Sequence, residues 1–217
     1  MQVINPYIEC MRAEDHLLFR EGATVYLENT LISYILWRDG KFQKENTQTK
    51  KTDVIVERII TYVTNDMVFI PVNVIDIHWY LAVINGKKRE IQVLDSIGSF
   101  RRDDVTYILQ GIQRQIEITI KEIKDLDFIK WPDLNILSWP VIEIFKKQMQ
   151  EDSVSCGLFM LNYMEYWTGE KLTDDITQPH PISITLKKLK EILDVSKPMD
   201  KDCFNMAVRM IACEEIT

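Results

Sequence analysis

This 217-residue chain has no excess of positive charge, no long apolar run and no closely spaced cysteine pair. Its 26 Lys and Arg face 33 Asp and Glu, and the net charge of −7 argues against a broad nucleic-acid footprint, which needs a basic face. No apolar stretch approaches the ~20 residues needed to cross a bilayer, so no membrane association is expected. The opening Met-Gln-Val-Ile-Asn-Pro lacks the charged-then-apolar order of a secretory signal. The four cysteines (Cys10, Cys156, Cys203, Cys213) form no C-x-x-C pair and no disulfide framework, which fits a reducing cytosolic or nuclear setting. Three histidines (His16, His78, His180) stand far from the cysteines and from one another, so no zinc spacing arises and neither metal nor cofactor is expected. Internal repeats and low-complexity segments are absent too.

What is present suits a soluble globular protein, with 46% hydrophobic and 27% charged residues. The length fits one domain over 1–217 with a full core, its motif-bearing part spanning about 20–170. Ile4-Asn-Pro-Tyr7 reads as a turn and Glu14 to Arg20 as a short helix. Asn29-Thr30 can cap a helix carrying Leu31, Ile32, Ile35 and Leu36, stopped near Gly40. Residues 39–53 are Lys-rich and aperiodic, an exposed loop. Ile55, Ile59, Ile60 and Val63 recur at helical spacing after Asp53. Met67 to Ile75 is apolar enough for a buried strand, with Pro71 pushing it toward an edge or a bulge. A helix from about Asp103 buries Val105, Ile108, Leu109, Ile112 and Ile116. Val141 to Phe145 reads as a strand, and two terminal helices are expected over 184–193 and 204–211. Helices, then a sheet, then helices again indicate an α+β domain.

Two stretches carry chemistry. Cys156 to Trp167 reads as one helix closed by Thr168-Gly169, apolar nearly all round and therefore central. A cysteine on such a helix is most often structural. The turn before it, Glu151 to Ser155, is polar, however, and a thiol at a helix N-terminus feels the positive end of the macrodipole, which favours the thiolate. The second stretch is a hairpin. His78 to Ile84 and Arg89 to Asp95 flank Asn85-Gly86, the strongest short-range hairpin signal. His78 begins one strand and Asp95 ends the next, so both lie at the same end of the sheet, near enough for a carboxylate to hold an imidazole. Gln150 stands six residues before the thiol. Nucleophile, base, orienter and amide donor are the parts that acyl transfer through a cysteine requires.

At these residues the chain resembles the Ulp1/sentrin-specific family of ubiquitin-like-protein cysteine proteases, in particular its divergent plant-type members. His78-Trp79, Asp95-Ser96, Gln150 and Cys156-Gly157 stand in that family's order and spacing. The resemblance implies a papain-like α+β fold and hydrolysis after the C-terminal Gly-Gly of a ubiquitin-like modifier of SUMO type, which would be the partner of an expected monomer. It implies His78 as base, Asp95 as its orienter and Cys156 as nucleophile, with Gln150 and the Cys156 N–H binding the oxyanion. Ser155 stands where the family often has Asp, and Tyr26-Leu-Glu-Asn29 where it usually has Trp-Leu-Asn-Asp. Trp79 is expected over the Gly-Gly tail, facing Tyr26 across the entrance to Cys156, with the smaller Tyr leaving the channel more open. Two alternatives stay open: a modifier-binding scaffold derived from such a protease, and acetyl transfer through the same thiol.

Overall fold

The computed structural model describes residues 4–42, 53–74, 77–98, 103–121, 127–152 and 155–173. The two expected terminal helices, and most of the expected loop over 39–53, lie outside the described residues. The centre is one mixed six-stranded sheet in the order β1 (Phe19–Arg20), β2 (Ala23–Leu27), β3 (Met67–Val74), β4 (His78–Asn85), β5 (Glu90–Leu94), β6 (Val141–Glu143). β2 runs parallel to β3 and β5 parallel to β6, while β3, β4 and β5 form an antiparallel meander. β3 and β4 are buried along nearly their whole length, because helices cover both faces of the sheet.

Alternation along β4 splits the core in two. Trp79, Leu81 and Val83 pack with α1 (Ile4–Arg12) and α6 (Cys156–Tyr166) on one face. Tyr80, Ala82 and Ile84 pack with α3 (Thr30–Phe42), α4 (Asp53–Val63) and α5 (Asp104–Ile120) on the other. Between α1 and β1 lies the one-turn helix α2 (Asp15–Leu18). α6 is enclosed as its all-round apolar sequence requires, with every residue from Cys156 to Met164 buried. Its C-terminal carbonyls are met by the buried Arg20 guanidinium, which donates to Trp167 O at 2.8 Å and Met164 O at 2.6 Å. The helix ends at Tyr166 and is followed by Trp167 in an extended conformation, so Gly169 is not the C-terminal glycine that was expected. With φ +96° it sits in the turn between Trp167 and Leu172, which form an isolated antiparallel bridge.

Several expectations are corrected. Ile4 to Tyr7 is the first turn of α1, where Pro6 costs no hydrogen bond because its N–H would have no helical acceptor. Gly40 does not stop α3: a Cβ there would meet the Tyr107 carbonyl oxygen at 1.8 Å, so the glycine lets α3 and α5 touch. Asn29 caps α3 as expected, accepting from the Ile32 N–H at 2.9 Å. Pro71 lies in an interior strand, yet β2 pairs with β3 only as far as Phe69, whose carbonyl takes the Glu28 N–H at 2.7 Å. Two residues on, the missing N–H of Pro71 points to the side where pairing has ended, so the position is locally an edge.

Candidate active site

β4 and β5 pair from Asn85–Glu90 to Leu81–Leu94, and the next step of that register sets Asp95 beside Tyr80. His78 is therefore two residues beyond the directly opposed position, within reach of a diagonal contact. Its Nε2 lies 2.8 Å from Asp95 Oδ1. That carboxylate oxygen also accepts the Ile97 N–H at 2.9 Å, which fixes it from the far side. Asp95 is fully buried and His78 is partly exposed.

The same imidazole is hydrogen-bonded to the thiol at the N-terminus of α6. Burial opposes charging of both groups, yet the hydrogen bonds win. His78 is raised to about 9, against desolvation, by its bonds to Asp95 and Cys156. The Cys156 thiol is lowered, again against desolvation, by the His78 hydrogen bond and by the backbone N–H groups of Trp79 and Gly157. A thiolate–imidazolium pair is the state these contacts favour. The cysteine is 1% exposed, so the nucleophile is reached only along a narrow approach.

Gln150 is brought to the wall of this site, and its amide is already engaged. Its Oε1 accepts from the Ser96 hydroxyl at 2.7 Å, and its Nε2 donates to Asp152, 2.7 Å from the carbonyl and 3.2 Å from Oδ1. The Asp152 carboxylate in turn takes the Ser155 N–H at 2.7 Å and the Ser155 hydroxyl at 2.6 Å. A chain of side chains thus runs from the end of β5 to the first turn of α6. Ser96, Asp152 and Ser155 went unremarked as positioning residues in the sequence. The usable signal was an acid three residues before a serine at a helix start, a spacing at which a short acidic side chain can take backbone and hydroxyl hydrogen bonds.

Trp79 and Tyr26 do not meet. Trp79 pairs with Asn73 and Tyr26 with Val68, five residues apart on β3. That is roughly 17 Å of strand, and the odd spacing puts the two rings on opposite faces. The Tyr26 hydroxyl instead accepts from Arg58 at 2.7 Å, and its ring lies 5.7 Å from that of Tyr62. Arg58 also binds Glu28, a fully buried carboxylate that accepts from the Tyr62 hydroxyl at 2.5 Å. Packing against this buried ion pair holds Tyr26 away from the thiol. Trp79 remains beside it: a Cβ on Gly157 would lie 3.6 Å from the indole. Among the described residues no group of His, Cys, Asp and Glu is arranged to hold a metal ion.

The model of the Ulp1 protease family, C-terminal catalytic domain, matches residues 3–198. The putative ubiquitin-like-specific protease 1B of Arabidopsis thaliana is 31% identical over 130 residues, 59% of this chain and 34% of that protein. The ubiquitin-like-specific protease ESD4 of the same plant is 25% identical over 196 residues, 88% of this chain and 36% of its own length. The chain spans little more than a third of each of these two relatives. The solved SUMO protease Ulp1 with its catalytic cysteine oxidized to a sulfinic acid superposes with a TM-score of 0.50 at 16% identity, covering 99% of this chain and 75% of that one. At that identity the likeness shows the fold, which is the expected α+β arrangement. Matched over nearly its whole length, the chain belongs to the Ulp1 protease family of cysteine peptidases.

Proposed function

We propose that this chain is a thiol protease that hydrolyses the bond after the C-terminal Gly-Gly of a ubiquitin-like modifier of SUMO type. The observation that carries the reading is the His78–Asp95 contact of 2.8 Å, on an imidazole that is also hydrogen-bonded to a thiol at a helix N-terminus. The names of the plant relatives support the substrate class. In this reading the Cys156 thiolate attacks the carbonyl carbon and His78 hands its proton to the departing amine. Asp95 keeps the imidazole in the required orientation. Water, deprotonated by His78, then releases the modifier from the acyl-enzyme. The Cys156 N–H is one oxyanion donor. Gln150 becomes the second only if its amide turns from Asp152 when substrate arrives.

A panel of modifiers carrying a C-terminal electrophile tests the proposal. An adduct at Cys156 that is lost in His78→Ala supports it. Binding of a modifier without any adduct would instead favour a modifier-binding scaffold.

A further inference from the structure

β5 runs out into the turn Asp95-Ser96-Ile97-Gly98, and the segment 146–150 is fastened against that turn. The Ser96 carbonyl takes two main-chain donors of the segment, the Met149 N–H at 2.7 Å and the Gln150 N–H at 3.0 Å. The Ser96 hydroxyl donates to Gln150 Oε1 at 2.7 Å. Gly98, at φ +81°, lets the two pieces of backbone come close: a Cβ there would lie 3.0 Å from the Lys147 carbonyl carbon and 3.1 Å from the Gln148 nitrogen. The Asp95 carboxylate is tied into the same turn by the Ile97 N–H. Two adjacent residues therefore hold the orienter of His78 and the fastening of the Gln150 amide.

The two ends of an amide are alike in size and opposite in hydrogen-bonding role. Nε2 can serve an oxyanion, whereas Oε1 in its place would repel one. Both ends are matched in the structure, with the Ser96 hydroxyl on Oε1 and two Asp152 acceptors on Nε2. Asp152 in turn binds Ser155, the residue before Cys156, so Nε2 is turned toward the segment that leads to the thiol. Once Nε2 leaves Asp152, the Ser96 hydroxyl is the one of these side-chain contacts that still keeps the amide the right way round. Ser96 is 1% and Gln150 2% exposed, so water does not readily replace that bond.

We propose that Ser96 is a positioning residue, the pivot on which the Gln150 amide turns: Oε1 stays on its hydroxyl while Nε2 swings from Asp152 to the oxyanion. The inference rests on the Gly-Gly protease reading and deepens it, because it gives the amide a way to turn with Oε1 hydrogen-bonded throughout. Ser96 touches neither substrate nor thiol in this scheme and acts through Gln150.

The test is Ser96→Ala, which removes the hydroxyl and keeps the main-chain bonds of the turn. With a SUMO-type modifier carrying a fluorogenic amide after Gly-Gly, kcat should fall about tenfold and KM change by less than about twofold, since the amide acts in the transition state. The same substitution in a Gln150→Ala background should cost less than about twofold more. No loss, an equal loss in both backgrounds, or an effect confined to KM would overturn the pivot and leave the protease reading intact. A second readout needs no turnover. The Gln150 side-chain NH2 signals in NMR spectra, identified by their absence from Gln150→Ala, should exchange with water at least about fivefold faster in Ser96→Ala. Unchanged exchange would overturn the pivot whether or not the chain cuts. Faster exchange in a chain whose Cys156 forms no adduct with electrophilic modifiers would keep the Ser96 anchor and remove the protease.

Discussion

The two halves of the candidate site are held by different physics. His78 and Asp95 sit at the ends of β4 and β5, where a backbone ladder with buried neighbours on both faces sets the register. Gln150 and Cys156 are linked through side-chain hydrogen bonds among Gln150, Asp152 and Ser155. A ladder tolerates most changes of side chain because its bonds are made by the main chain. A link made by side chains does not. The base and its orienter should therefore be mechanically robust, and the nucleophile's approach should be the part that substitutions and substrates reshape.

Cys156→Ala removes the group both halves serve. Turnover should fall at least about 10⁴-fold, with unchanged binding of modifier and unchanged melting temperature. Measurable turnover at the wild-type rate would end the mechanism. Asp95→Asn tests the rigid half: kcat should drop about 10²- to 10⁴-fold with little change in KM, since the ladder keeps His78 in place and only its orientation is lost. A rise confined to KM would mean that Asp95 contacts substrate.

The side-chain half is probed by Asp152→Ala. Losing its hydrogen bonds to Ser155 should cost about 1 kcal/mol of stability and lower kcat by roughly tenfold. Gln150→Ala should cost about 10²- to 10³-fold in kcat if the amide turns to the oxyanion, and under threefold if it stays with Asp152. In the double mutant the two losses should fail to add, because the residues share one hydrogen-bond chain.

A pH series reads both halves at once. His78 is raised to about 9, so the stability its charge contributes is complete below its ordinary value of 6.5 and is lost as pH climbs through about 9. Cys156 is lowered, so its contribution is present above the ordinary thiol value and fades as pH falls through the lowered one. Alkylation of Cys156 should accordingly stay fast near pH 7, and in His78→Ala its midpoint should move up toward that of a free thiol. An unmoved midpoint would show that the helix N-terminus alone activates the sulfur. The smallest effect is expected at Tyr26. Tyr26→Trp should leave the preference for Gly-Gly over Ala-Gly unchanged, and Tyr26→Phe should cost about 1 kcal/mol of stability through the lost Arg58 contact. A narrowed tail preference in the Trp variant would restore Tyr26 to the channel.

Much of the site was legible because its signals are local. Asn85-Gly86 between β-prone runs foretold the β4–β5 hairpin, and the hairpin alone brought His78 to Asp95. The turn itself differs in detail. Its left-handed residue is Arg89 with φ +54°, while Gly86 is needed because a Cβ would strike the Trp131 indole at 2.2 Å. The all-round apolar run after Cys156 likewise required a buried helix, and the α5 face Val105, Ile108, Leu109, Ile112, Ile116 was buried as its period demanded.

By itself, then, the amino-acid sequence determined the β4–β5 hairpin, the helices α3, α5 and α6 and the order of the reacting groups, since periodicity, turn chemistry and caps act between near neighbours. α1 and the short strands β1 and β2 carry no comparable local signal. Tertiary structure alone decided which face of the sheet each ring occupies and what each amide already binds. Tyr26 could be assigned a face only once the parallel register of β2 on β3 was known, and that register is made by contacts more than forty residues apart. Its attachment to Arg58 follows from the buried Glu28, a carboxylate that must be paired wherever the fold encloses it. The engagement of Gln150 with Asp152 is also decided in the folded turn, where a buried amide satisfies the polar atoms within reach.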